Sequence, residues 1–283
     1  MKNLLSVAYS PDTDDAFMMW ALREHLIDWK EFHFDFVTDD IEKLNQESLK
    51  GKFDITAISV ATYPLIAEAY AMMPVGGSVA RGKGPAVIVK EDSPITRLAQ
   101  FQGLTVAVPG LHTSAALAAR ILLPSFQAVS VPFDSIAAAV KAETVDGGIL
   151  IHELQLNPAA ENLRVIGRLG ELWQNHFQLP LPLGTNAIRR SLGTCQIESL
   201  TRLFRDSVRY GLNHRQEGIE FSRRRALMQT SPQAADTYIS QFVNEDSLAI
   251  RPDLLSGVER LFSEGHRLNL WPTQPLEPLF CCE

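Results

Sequence analysis

Four segments place reactive or ligand-holding residue types where short apolar runs end. In Gly147-Gly148-Ile149-Leu150-Ile151-His152-Glu153 an apolar run delivers a histidine and a carboxylate to its carboxyl end. Histidine exchanges protons near neutral pH, and a neighbouring carboxylate can orient it or raise its pKa. Consecutive residues of an extended chain point to opposite faces, so Glu153 need not touch His152, and a histidine at a strand end also serves as a packing residue. In Pro109-Gly110-Leu111-His112-Thr113-Ser114-Ala115 a turn meets a helix start, and backbone N–H groups, the helix dipole and two hydroxyls converge there. Such a junction favours an anion, although Thr113 or Ser114 also reads as a plain helix cap. Ser10-Pro11-Asp12-Thr13-Asp14-Asp15 and Ile58-Ser59-Val60-Ala61-Thr62-Tyr63 are two more such junctions. Asp12 and Asp14 read as caps and dipole partners, whereas Asp15 and Ser59 are equally suited to a ligand, and Ser10 is a candidate beside them. The last segment, Gly76 to Pro85, carries four glycines with Arg81 and Lys83, which can meet a carboxylate. It lacks the strand-to-helix context of a Walker or Rossmann loop, so no nucleotide is implied.

These segments need strands and helices to bring them together. Leu4 to Tyr9 reads as a strand, Ser10 to Asp15 as a helix start and Ala16 to Leu26 as the helix. Phe32 to Val37 is a second strand, Asp39 or Asp40 caps a helix over residues 41 to 50, and Phe53 to Ile58 is the third strand of a βαβαβ unit. A second such unit runs through Leu104 to Val108, a helix from Thr113, Ala128 to Val131, a helix from Asp134, and Gly147 to Ile151. Met72 to Val79 and Pro85 to Lys90 read as strands carrying the chain between lobes, and Leu183 to Ile188 as the return. Residues 195 to 264 read as helices closing the first lobe. The expected architecture is α/β and two-lobed, like a type II periplasmic binding protein. Residues 1–90 plus 189–283 form the first lobe, and 91–188 the second, inserted into it. Such lobes present strand ends and helix starts to a shared ligand cleft.

Composition narrows the partners. With 283 residues, 46% hydrophobic and 21% charged, the chain can bury two cores. A formal net charge of −7 offers no basic face for nucleic acid. No stretch approaches the roughly 20 apolar residues that cross a bilayer. The opening run reaches Asp12, Asp14 and Asp15 before a signal-peptide core is complete, so retention in the cytoplasm is expected. Cys195, Cys281 and Cys282 form no C-x-x-C pair, and His25, His33, His176, His214 and His266 show no metal spacing. Neither a disulfide framework nor a metal site is expected.

Taken in order, the motifs resemble the menaquinone-biosynthesis family that contains 1,4-dihydroxy-6-naphthoate synthase and, more distantly, chorismate dehydratase. The resemblance spans nearly the whole chain. It rests on Ser10-Pro11 with Asp15 and Phe17, Ser59 with Ala61 and Tyr63, Gly76-Gly77 with Arg81-Gly82 and Gly84-Pro85, Val106 to Gly110 with His112-Thr113, Ile151-His152-Glu153, Leu179 to Gly184, and Phe242-Val243-Asn244 with Ser247-Leu248. It implies a carbon–carbon lyase that converts cyclic dehypoxanthine futalosine into 1,4-dihydroxy-6-naphthoate, without metal or organic cofactor. It further implies that His152 is the proton acceptor, and that Ser59, Val60, Thr113 and Ser114 line a site for a small carboxylated aromatic substrate. Ser10, Asp15 and Arg81 join that list from the residue reading. The alternatives are a non-catalytic solute-binding protein on the same scaffold, or a family enzyme for another carboxylated substrate such as chorismate. Two departures fall at the site. Synthases commonly carry Ser-Pro-Cys-Pro-Asn-Asp where this chain has Ser10-Pro11-Asp12-Thr13-Asp14-Asp15, and Ala57 stands where a lysine is common. Lost positive charge and added carboxylates bear on which substrate is accepted.

Overall fold

The computed structural model describes residues 4–226, 231–271 and 280; Cys281 and Cys282 lie outside the described residues. The chain opens as β1 (Leu4–Tyr9), α1 (Thr13–Arg23), β2 (His33–Thr38), α2 (Ile41–Leu49) and β3 (Ile55–Ser59). β1 pairs in parallel with both β2 and β3, giving the expected βαβαβ unit. Helix α1 begins three residues before its apolar run. Asp12 caps it with extended backbone, and Asp14 and Asp15 sit in the first turn, where the helix dipole favours negative charge. Ala16 to Leu22 are buried all round because α6 (Thr194–Asn213), α7 (Arg215–Arg225) and α8 (Pro232–Phe242), the helices of the C-terminal half, pack over α1. The Asp40 carboxylate caps α2 by accepting from the N–H groups of Glu42 and Lys43.

After β3 the chain forms β4 (Tyr70–Met72) and β5 (Ser78–Ala80), then enters the second lobe as β6 (Ala86–Lys90). There follow β7 (Thr105–Val108), α3 (Ser114–Leu122), β8 (Gln127–Ser130), α4 (Ile136–Lys141), β9 (Gly147–Leu150), β10 (Leu163–Arg168) and α5 (Leu169–Phe177). The chain returns as β11 (Leu181–Arg189) and ends in the C-terminal helices, the last being α9 (Pro252–Arg267). The first sheet has the order β2-β1-β3-β11-β4, with β5 also paired to β11; the second has the order β10-β6-β9-β7-β8. The parallel pairs β7–β8 and β7–β9 make the second βαβαβ unit.

The crossings sit one strand away from the expected boundaries. β6 hydrogen-bonds to β9 and β10 and belongs to the second sheet, and β11 pairs with β3, β4 and β5 in the first. The chain therefore changes lobes in 81–85 and 178–180 rather than at 90/91 and 188/189. Both strands are apolar enough to be read as connectors or as central strands, and only their hydrogen-bond partners decide. One core cluster runs from Ile58 and Tyr63 through Val87 and Val106 to Trp173 and Phe262, so the lobes share buried surface at their junction. Among the described residues no helix is long and apolar enough to cross a membrane.

Candidate active site

A cleft of about 650 Å³ opens between the two sheets. Its walls come from the β1–α1 junction, the end of β3, the start of α3, the segment after β9, the middle of β11 and the inner face of α8. The strand ends carry their following residues to this crevice, as the two-lobed reading requires.

At one end lies the start of α3. Thr113 is its N-cap: the hydroxyl accepts from Ala116 N at 3.1 Å and donates to Gly110 O at 2.8 Å. Ser114 Oγ accepts from Ala61 N at 3.1 Å and donates to Leu183 O at 2.7 Å. Both hydroxyls are thus committed to holding the junction. Ser114 and Ala115, whose N–H groups open the helix, line the cleft. Ser59 stands beside them; its hydroxyl accepts from Asn45 Nδ2 at 3.1 Å while its N–H donates to Asn45 Oδ1 at 2.8 Å. The Ser59 hydroxyl keeps its own proton to donate.

At the other end Ser10, Asp12, Asp14 and Asp15 line the cleft. Ser10 N donates to Asp15 Oδ2 at 3.0 Å. Burial, then repulsion among Asp14, Glu153 and Asp15, pushes the Asp12 pKa well above the usual carboxylate range; burial and the charges of Asp15 and Glu153 do the same to Asp14. Burial raises Asp15 to about 6. Tyr238 reaches in from α8 and donates to Ile151 O at 2.7 Å; burial and then the nearby carboxylates raise its pKa well above the ordinary value. Gln155 completes this wall. No lysine, arginine or histidine among the described residues lines the cleft, and Ala57 does.

The lobes are closed on each other. Glu153 Oε1, from the second lobe, accepts from the N–H and hydroxyl of Thr13 at the start of α1. Glu42, from the first lobe, accepts from His112 N at 3.1 Å and meets His112 Nδ1 at 2.6 Å. That contact raises the His112 pKa. Burial works to raise Glu42, but the hydrogen bonds from His112 and Gln46 outweigh it and lower Glu42.

Three expected site residues lie off the cleft wall. His152 is 1% exposed; its Nδ1 accepts from Leu154 N at 3.2 Å, and its Nε2 lies 3.2 Å from Phe133 O. Its ring packs against Phe133, while Ile151 and Gln155 on either side line the cleft. Burial lowers the His152 pKa, against the opposing pull of Glu153. Arg81 turns away because two carboxylates hold it, Asp246 at 2.6 Å and Asp253 at 2.7 Å. Val60 lines a separate small cavity near Val258. In exchange the cleft takes in Asp12, Asp14, Gln155 and Tyr238, which the sequence reading did not assign to it. Asp12 and Asp14 read first as caps and dipole partners, and Gln155 and Tyr238 belong to no recognisable pattern.

A family model for menaquinone biosynthesis matches residues 5–267. The chain belongs to the menaquinone-biosynthesis family. It is 32% identical to a 1,4-dihydroxy-6-naphthoate synthase of Thermus thermophilus over 98% of both chains, and 31% identical to one of Streptomyces coelicolor over 95% of both. The crystal structure of a protein from Archaeoglobus fulgidus superposes with a TM-score of 0.88 at 32% identity, covering 95% of this chain and 98% of that one. The ligand-binding component of an ABC-type import system from Staphylococcus aureus superposes with a TM-score of 0.75 at 13% identity, covering 98% of this chain and 96% of that one. This last likeness concerns the fold alone, which is that of the periplasmic binding proteins.

Proposed function

We propose that this member of the family is a lyase that converts cyclic dehypoxanthine futalosine into 1,4-dihydroxy-6-naphthoate with loss of a small sugar-derived fragment. The observation that carries the reading is the end-to-end identity to two synthases of that name. The cleft supports it. A carboxylate on the substrate finds no cationic side chain there, but it finds the start of α3, where the Ser114 and Ala115 N–H groups, the helix dipole and the Ser59 hydroxyl can hold it. In this reading the ligand is a small carboxylated aromatic and the enzyme works in the cytoplasm.

Breaking a carbon–carbon bond next to a hydroxyl requires a base to take the hydroxyl proton: the O–H pair becomes the second bond of a carbonyl, and the pair of the broken bond stays on the other carbon, which takes up a proton. We assign that role to His152. Burial keeps its imidazole neutral and so able to accept. With Nε2 donating to Phe133 O, the lone pair is on Nδ1, which the Leu154 N–H now occupies. The base therefore acts once the Leu154 N–H has released Nδ1. One observation favours a second reading: Asp14 and Asp15 line the cleft and His152 does not. In that reading an aspartate takes the proton.

The test is product formation from cyclic dehypoxanthine futalosine, followed by mass spectrometry, with His152→Ala, Asp14→Asn and Asp15→Asn beside the wild type. Loss of turnover in His152→Ala with KM nearly unchanged supports the histidine. A fully active His152→Ala together with an inactive aspartate variant transfers the role to the aspartates. A wild type that releases no naphthoate refutes the reaction.

A further inference from the structure

The side chain of Gln155 is the least satisfied polar group in the cleft wall. The residue is 1% exposed, and neither its Oε1 nor its Nε2 has a hydrogen-bond partner among the described residues. A buried amide normally finds partners for both, so one left bare beside a cleft is waiting for a group that the protein itself does not supply. The backbone around it is held on two sides. Glu153, two residues earlier, is bonded to Thr13 at the start of α1, and the Gln155 carbonyl accepts from Arg168 at 3.0 Å. The first of these contacts sets Gln155 on the aspartate side of the cleft, with Asp12, Asp14 and Asp15 in the same lining.

We propose that Gln155 and the carboxylates of Asp12, Asp14 and Asp15 form a polyol subsite, which takes the hydroxyl-bearing, non-aromatic part of the ligand. A carboxyl group accepts hydrogen bonds whether or not it carries its proton, and an amide both donates and accepts. A hydroxyl satisfies both kinds of partner: it donates to an aspartate and accepts from Gln155 Nε2, and a vicinal hydroxyl donates to Gln155 Oε1. A second carboxylate or a phosphate would bring more negative charge to a buried cluster whose carboxyl groups already resist ionisation. Among the described residues no group of three or more His, Cys, Asp or Glu is arranged to hold a metal ion. The cleft is therefore polarised, with its anion end at α3 and its hydroxyl end at α1, and this fixes the direction in which a carboxylated polyol enters. The identity of the substrate rests on the reaction proposed above, but the chemistry of the subsite does not. Under that reaction the subsite holds the sugar-derived portion of the substrate. The aromatic product, having lost that portion, keeps only the anion end, so the subsite discriminates substrate from product.

The experiment compares wild type with Gln155→Met and with the near-isosteric Gln155→Glu. For each, the Tm without ligand, the KM for cyclic dehypoxanthine futalosine and the Kd for 1,4-dihydroxy-6-naphthoate are measured. Gln155→Met should keep or raise the Tm, since an unpartnered amide is removed, while KM rises tenfold or more and product Kd changes less than twofold. A lowered Tm with unchanged KM would make the amide structural and overturn the proposal, as would an equal loss of substrate and product affinity. Should Gln155→Met fail to fold, Gln155→Glu decides: a folded protein with wild-type KM overturns the subsite, and a tenfold rise supports it. If the wild type turns nothing over, the assigned reaction fails and quinate, a carboxylated polyol, replaces the substrate. Quinate should then raise the wild-type Tm more than cyclohexanecarboxylate does, and Gln155→Met should erase that difference. Equal shifts from the two carboxylates overturn the subsite.

Discussion

Gly110→Ala tests how the lobes are held shut. Gly110 has φ +128°, and a Cβ built on it would lie 2.2 Å from Glu42 Oε2 and 2.4 Å from Glu42 Cβ. The glycine is needed twice, for its backbone conformation and for the approach of Glu42 from the other lobe. The conformational strain acts whether the lobes are open or closed, and costs about 1–3 kcal/mol of global stability. The clash acts only on closure, because Glu42 and the Gly110 loop belong to different lobes. Pushing Glu42 away removes its hydrogen bonds to His112 N and Nδ1. These are charge-assisted but partly solvated, with side chains 11% and 30% exposed, so the loss is about 1–2 kcal/mol, a factor of roughly 5–30 in ligand affinity. Thermal unfolding and KM for the proposed substrate separate the two terms. Glu42→Gly alone should weaken binding by a similar factor without the strain at Gly110, and the double variant should bind no worse than Glu42→Gly, because the carboxylate and the Cβ that meet the new methyl are both gone. Additive losses in the double variant, or a folded Gly110→Ala with wild-type KM, would refute the argument.

Asp15→Asn bears on the buried carboxylates. The Asp15 pKa is raised from 3.8 to about 6, so its favourable contribution is complete below pH 4 and is lost as pH rises through about 6. The variant should match wild type in Tm near pH 4 and exceed it above pH 6.5 by about 1–2 kcal/mol, or ~2–6 °C; a constant difference across that range would remove titration as the cause. Arg81→Ala should lower stability by about 1–3 kcal/mol, since it strips Asp246, 3% exposed, of one of its two arginines and leaves Arg251. Its KM should stay within twofold, and a large rise in KM with unchanged Tm would return Arg81 to the site. Trp173→Ala empties a fully buried position in the core shared by the lobes and should cost ~3–5 kcal/mol in urea unfolding, with a smaller loss showing that the site collapses.

The sequence alone determined the elements whose causes are local. β1 spans Leu4–Tyr9 as read, α2 starts at Ile41 under an aspartate cap, and Thr113 caps α3, because alternation, capping and helix-dipole chemistry act within a few residues. Both βαβαβ units follow from the order of those elements, and with them the facing of Ser10, Asp15, Ser59, Thr113 and Ser114 onto one cleft. What depends on partners far along the chain was decided only in three dimensions. β6 and β11 are apolar in either role, and their hydrogen-bonded neighbours assign them to opposite lobes. Arg81 points away from the cleft because Asp246, 165 residues later, captures it. Gln155 and Tyr238 enter the cleft because Thr13 anchors Glu153 from 140 residues away and α8 packs over α1. The His152 ring turns toward Phe133 and Leu154 rather than the cleft, since the direction of a side chain beyond a strand end is set by what packs around it and not by the strand's own period.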